Sequence, residues 1–170
     1  AQRRGAAAQA PAAKHEFGFD VGLAYASPSD IGGASVDGGL RVGFPLDVRM
    51  GWLPRGKLMF EGRLDIQYDG SDVLDFYTVM PGVNVVYPLG RSTHRRGTYL
   101  TGGLGLLLAG GGGQSGTGLS LNGAIGTRKP WGTAAALRLE GGVRYDTEIQ
   151  DIGFPATLLI GGRAGISFYH

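Results

Sequence analysis

Glu61 and Glu140 are the residues best placed for acid–base chemistry in this 170-residue chain, each with an arginine two positions away, Arg63 and Arg138. Two carboxylates on facing elements can divide the roles of proton donor and acceptor. The same two segments also hold Asp65 and Arg144, and inward positions elsewhere add Arg41 and Arg163. With five arginines against Asp20, Asp37, Glu61, Asp65 and Glu140, a network of compensated charges is the better reading than catalysis. His15, His94 and His170 are the three histidines. None can be placed on one face with a serine and an aspartate, so they read as solvated loop histidines. The run Gly110 to Gly118 has the composition of a phosphate cradle, but no lysine follows it and no helix opens there, so it reads as a surface loop. Asp69-Gly70-Ser71-Asp72 begins like a calcium loop whose later ligands are missing, and reads as a solvated turn. The chain has no cysteine, which removes disulfides and thiolate metal sites. No catalytic, cofactor-binding or metal-binding residue is assigned, and the chain reads as a non-enzyme.

The elements that hold these charges are strands. In Leu58 to Tyr68 the even positions are Leu58, Phe60, Gly62, Leu64, Ile66 and Tyr68, and the odd ones include Glu61, Arg63, Asp65 and Gln67. Successive side chains of a strand point to opposite faces, so one face is apolar and the other charged. Ala135 to Tyr145 repeats the pattern, with Leu137, Leu139, Val143 and Tyr145 opposite Arg138, Glu140 and Arg144. Alternation recurs from Phe17 to Tyr25 and from Val36 through Phe44 to Trp52, past Pro45, which either marks a bulge or breaks the strand. It continues from Val73 to Tyr87 with Asp75 and Pro81 interrupting, from Leu100 to Leu108, from Leu119 to Ile125, and from Leu158 to Phe168. Thr127 to Pro130 reads as the turn into the Trp131 to Tyr145 strand, and Asp146 to Pro155 as the last loop. The sum is eight strands with no helical period and no apolar run of about 18 residues. Residues 1–14 carry no period and read as a flexible basic arm ahead of a single 15–170 domain.

The composition decides which face is wet. Glycine reaches 33 residues and charged residues only 18%. The faces opposite the large apolar groups are mostly small, with Gly18, Gly22, Gly103, Gly126, Gly142, Gly161 and Gly165 among them. An eight-stranded barrel has an interior just wide enough to be filled by side chains, so small residues and paired charges belong inside and apolar ones outside. Aromatic residues near strand ends (Phe17, Tyr25, Phe44, Trp52, Tyr68, Tyr87, Tyr99, Trp131, Tyr145 and Phe168) suit an interfacial girdle. The predicted fold is all-β, an eight-stranded antiparallel up-and-down transmembrane barrel. Its lumenal network comprises Arg41, Glu61, Arg63, Asp65, Arg138, Glu140, Arg144 and Arg163.

On strand pattern, lumenal charges and the aromatic-ended last strand Gly161 to Tyr169, residues Glu16 to His170 resemble small eight-stranded outer-membrane barrels of the outer-membrane-protein-A type. That resemblance implies a bacterial outer membrane with both termini in the periplasm, surrounded by outer-membrane lipid and lipopolysaccharide. Arg3, Arg4, Lys14, Arg55, Lys57, Arg91, Arg95, Arg96, Arg128 and Lys129 then fall on the periplasmic side, and Asp30, Asp69, Asp72, Asp146, Glu148 and Asp151 on the outer side. The basic underside suits an acidic periplasmic partner. A formal charge of +2 gives no ground for nucleic acid. The leading function is a structural, anchoring or assembly subunit with a lumen closed by charge pairs. The alternatives are a narrow channel for small solutes or ions, a membrane enzyme, and a soluble carrier barrel. Gly102, Gly123, Ala135, Gly141, Gly162 and Ala164 form a smooth outer patch, to be filled by lipid chains or by a second subunit of a homo-oligomer or larger assembly.

Overall fold

The computed structural model describes residues 14–30, 38–41, 46–53, 57–70 and 75–170. The chain runs β1 (His15–Pro28), β2 (Gly39–Arg41), β3 (Leu46–Trp52), β4 (Met59–Gly70), β5 (Asp75–Pro88), β6 (Gly97–Gly111), β7 (Gln114–Trp131), β8 (Ala135–Asp146), a 3-10 turn (Gln150–Ile152) and β9 (Thr157–Tyr169). From β3 onward each strand pairs antiparallel with the next, and β9 pairs back onto β1 from Glu16↔Tyr169 to Pro28↔Thr157. The sheet is therefore closed. β2 and β3 both pair with β1, β2 along its upper part and β3 along its lower part, and together occupy one strand position. This is the eight-strand barrel that the alternation predicts. Pro45 and residues 1–13 lie outside the described residues, as do Asp37 and Phe44 and the side chains of Arg41 and Tyr68.

The register fixes the barrel's tilt. A walk along paired residues from Phe17 passes Met50, Gly62, Val83, Leu104, Leu121, Tyr145 and Leu158. It returns to β1 at Ser27, ten residues beyond its start. Ten residues at about 3.3 Å against eight strands at about 4.8 Å set a strand tilt of about 40°. One end of the barrel carries Lys14, His170 and the β3–β4, β5–β6 and β7–β8 connections, and is called the turn end below.

The sequence parity holds in every strand where side chains are described. Phe17, Phe19, Leu64, Leu104, Leu121, Leu139 and Ile160 are exposed on the outside, while Glu16, Asp47, Arg49, Glu61, Arg138 and Ser167 are buried inside. The interior is polar and the exterior apolar, the reverse of a soluble protein. Among the described residues no helix is long and apolar enough to cross a membrane.

Four sequence expectations are corrected. Gly110 to Gly118 is not a loop: β6 runs to Gly111, β7 starts at Gln114, and only Gly112 and Gly113 turn. Both have positive φ, 59° and 84°, as a tight hairpin turn of the primed type requires. Glycines have no side chain to display alternation, so the strands that flank the turn are silent in the pattern. Thr127 to Pro130 is not a turn either, since β7 continues to Trp131 and Pro130 pairs with Ala136. Tyr99 stands on an inward position of β6 and is 1% exposed, so it belongs to the lumen and not to a girdle. Asp146, assigned to the outer rim, is buried beside Arg144. Pro81 leaves the β5–β6 register unchanged: pairing lapses at Met80 and Pro81 and resumes in step at Gly82↔Gly105.

Candidate functional site: the lumenal charge network

Alternation delivers the charged residues to the lumen, and shear decides which of them meet. Arg49 of β3, 0% exposed, is the hub. Its Nη1 reaches Glu16 Oε1 at 3.0 Å and Glu61 Oε2 at 3.3 Å, and its Nε reaches Asp20 Oδ2 at 2.6 Å. Across the bore, Arg138 of β8 joins Glu61, Nη1 to Oε2 at 2.6 Å, and donates from Nε to Glu140 Oε1 at 2.8 Å. Glu140 is also ion-paired with Arg163 and accepts the hydroxyl of Tyr99 at 2.7 Å. Arg163 continues to Asp47 at 3.4 Å, and Asp47 is ion-paired with Arg63. At the turn end Arg128 joins Glu16, Nη2 to Oε2 at 3.1 Å.

These contacts make one chain of alternating sign: Arg128, Glu16, Arg49, Glu61, Arg138, Glu140, Arg163, Asp47, Arg63. Asp20 branches from Arg49, so five arginines meet five carboxylates. A buried charge taken out of water is tolerated when it is paired and its hydrogen bonds are filled. Neutral groups add further hydrogen bonds. Asn84 donates to Glu61 at 3.3 Å, Asn122 donates to Asn84 at 3.2 Å, and the Ser167 hydroxyl donates to Glu16 at 2.6 Å. The ring of Tyr99 lies 4.5 Å from the Arg128 guanidinium carbon and 5.2 Å from that of Arg138. Cations over an aromatic face gain further when desolvated.

The β5–β6 connection is tied down at the turn-end mouth. The carbonyl of His94 accepts from Arg128 Nη1 at 2.8 Å and from the Tyr169 hydroxyl at 2.7 Å. Arg95 donates to the carbonyl of Thr133 and stands over the Tyr169 ring at 5.3 Å. Above the network lies a cavity of about 140 Å³ between Arg63, Asp65, Gln67, Asn122, Arg144 and Arg163. Arg144 pairs there with Asp65 at 3.4 Å and Asp146 at 3.0 Å. The β8–β9 connection folds into the other mouth, where Ile149, Ile152 and Phe154 pack on Leu107 and Ala109.

Of the eight network residues read from the sequence, the structure joins Glu61, Arg138, Glu140, Arg163 and Arg63 in the chain and sets Arg144 with Asp65 above it. The side chain of Arg41 lies outside the described residues. Sequence reading missed Glu16, Asp47, Arg49, Arg128 and Tyr99. The parity of Leu46, Val48, Met50 and Trp52 already turns Asp47 and Arg49 inward, and that signal could have found them. Arg128, assigned to the basic underside, is buried instead. Of the outer patch, Gly141 pairs with Gly162, Gly102 pairs with Gly123, and Ala164 follows two residues after Gly162. Ala135 stands apart, opposite Phe168. Among the described residues no group of three or more His, Asp or Glu side chains is set to hold a metal. Glu61 and Glu140 share Arg138, so each carboxylate is engaged as an acceptor, an arrangement suited to cohesion across the bore.

No family model matches the chain, and no curated protein matches it. Solved structures do. Neisserial surface protein A superposes with a TM-score of 0.66 at 18% identity, over 92% of this chain and 97% of that one. Ail, the attachment invasion locus protein of Yersinia pestis, gives 0.50 at 15% identity, over 92% and 98%. The N-terminal β-barrel domain of OprF from Pseudomonas aeruginosa gives 0.51 at 10% identity, over 92% and 98%. At these identities the likeness is one of fold, that of the small eight-stranded outer-membrane barrels.

Proposed function

We propose that the chain is a non-enzymatic barrel of the bacterial outer membrane, a structural or anchoring subunit whose lumen is closed by its charge network. The observation that carries this reading is the alternating chain from Arg128 to Arg63, which crosses the bore between opposite strands and has compensated charge at each step, buried from Arg128 to Glu140 and half-buried at Arg163 and Arg63. A conducting lumen needs a continuous path of water, and the network, Tyr99 and the β5–β6 connection occupy that path. In this reading the termini and the β3–β4, β5–β6 and β7–β8 connections face the periplasm. Lys14, Lys57, Arg91 and Arg96 are exposed at that end, and no carboxylate among the described residues is exposed there. The end therefore suits an anionic counterpart.

The chain is expected to fold only in detergent or lipid, because lipid replaces water at an apolar exterior and a closed sheet leaves no unpaired edge. Folded protein is expected to migrate faster than boiled protein on gels, and planar bilayers containing it are expected to show no steady open level. A monodisperse folded protein in detergent-free buffer overturns the membrane placement. Large steady conductance overturns the closed lumen and favours the channel.

A further inference from the structure

His15 opens β1 and His170 directly follows β9. Their backbones exchange hydrogen bonds, His15 N to His170 O at 3.1 Å and His170 N to His15 O at 3.2 Å. The two residues are therefore directly opposite each other across the pair that closes the barrel. Strand parity turns both side chains outward, in step with Phe17 and Phe168, and both are exposed. Their rings stand 5.6 Å apart between centroids, with an interplanar angle of 30°. The sequence alone reads both as loop histidines; closing the barrel is what brings them together.

The backbone around the pair is fixed on both sides. Lys14 N also donates to His170 O at 3.0 Å, Leu53 N donates to Lys14 O at 2.9 Å, and Tyr169 N donates to Ala134 O at 2.8 Å. Trp52 is the next residue in the row, paired with His15. Neither imidazole has a hydrogen-bond partner among the described residues. Glu16, the neighbouring carboxylate, is buried on the inner face and held by Arg49 and Arg128. Ring contact alone accounts for the approach but leaves the ring nitrogens unused. Imidazole nitrogen suits zinc, copper and nickel dications, and two such donors on adjacent strands can share one ion. With metal–nitrogen bonds of about 2.1 Å, two imidazoles on one tetrahedral ion have centroids about 5.3 Å apart. The observed separation is close to that, and χ2 of histidine is a broad torsion that lets the nitrogens converge.

We infer that His15 and His170 form a two-histidine site for a transition-metal dication of the zinc type, with water in the remaining positions. The ion ties β9 to β1 at the turn end of the closing pair. Its two ligands come from the two ends of the domain and meet only when the whole barrel has closed. An ion held by both therefore binds the folded chain and has no equal in the unfolded one, so binding adds to the stability of closure. The site lies outside the lumen and leaves the charge network as it is.

The test uses the full chain in detergent micelles, with zinc ion as the probe and magnesium as the comparison, since magnesium takes oxygen ligands and keeps its water. Titration calorimetry is expected to find one zinc per barrel that is lost in His15→Gln and in His170→Gln. At free zinc about 100 times the measured dissociation constant, the ratio of folded to unfolded chain is expected to rise about 100-fold. Either substitution abolishes that rise, and magnesium produces none. Both positions are exposed, so the variants are expected to keep the fast migration of folded barrel on an unboiled gel. A readout on the unaltered chain needs no variant: bound copper(II) is expected to show electron paramagnetic resonance coupling to two imidazole nitrogens. Coupling to a single nitrogen overturns the inference. So does a zinc effect that survives either substitution, or one that magnesium matches. One zinc per two barrels, with a doubled mass in sedimentation, assigns the histidines to a contact between copies and overturns it too.

Discussion

Replacing Arg49 with methionine is expected to destabilise the folded barrel by about 3–5 kcal/mol, the loss that follows when one partner of a buried ion pair is removed. Methionine fills much of the same volume and donates nothing. Glu16, Asp20 and Glu61 would then face one another without the guanidinium that now joins them, at 0% exposure for Glu16 and 1% for Glu61. The measurement is urea unfolding in micelles or vesicles, followed by tryptophan emission. Trp52 and Trp131 are exposed on the apolar exterior near the turn end, so their emission reports the loss of the apolar surroundings. Adding Glu16→Gln to the Arg49→Met chain should return part of the loss, because one of the stranded charges is gone. Two contacting residues that share a network are expected to couple in such a cycle. A loss below about 1 kcal/mol for Arg49→Met would mean that water reaches the hub and screens it. The lumen could not then be called closed.

Arg49 also shows what a single sequence can and cannot yield. Alternation reads every strand's two faces, because the period is 2 and the outward residues are large: Phe60, Leu64 and Ile66 against Glu61, Arg63 and Asp65 suffice for β4. It does not give the heights at which inward residues of different strands meet. That depends on the shear of ten residues, which is a property of eight pairings together and is written in no strand alone. Alternation alone does not say that Arg63 is ion-paired with Asp47 rather than with Glu61, or that Glu61 is joined to both Arg49 and Arg138. Proline and glycine misled at the ends of strands. Pro130 suggested a turn, and so hid the inward-facing Arg128. The glycines around Gly112 suggested a loop, and so hid the end of β6 and the start of β7. An aromatic near a strand end suggested a girdle for Tyr99, although its odd position on β6 turned it toward Glu140.

The inner glycines carry the second large effect. On the concave side of a tightly curved sheet the Cβ atoms converge, so a position that faces the bore has less room than one that faces out. A Cβ built on Gly161 meets Leu23 O at 2.2 Å and the Ala24 Cα at 2.7 Å, both backbone atoms of β1 across the closing pair. A Cβ on Gly142 likewise meets Gly123 O at 2.5 Å, and one on Gly103 meets Val83 O at 2.2 Å. Backbone in a ladder cannot move aside as a flexible side chain can, so the two strands must separate. At Gly161 the strands concerned are β9 and β1, the pair that closes the barrel. Gly161→Val is expected to destabilise by about 3 kcal/mol or more, at or above the upper range for overpacking. It should leave a larger fraction of the chain in the slow-migrating unfolded band on an unboiled gel. Gly141→Val, on the outward face of β8, is expected within about 0.5 kcal/mol of the parent. An added Cβ there meets only Gly161 O, at 4.0 Å, and valine favours a strand. The two substitutions insert the same side chain, so their difference isolates the crowding on the inner face. Equal effects at the two positions would mean that the closing pair has slack, and that the glycines of the bore are not what lets eight strands close.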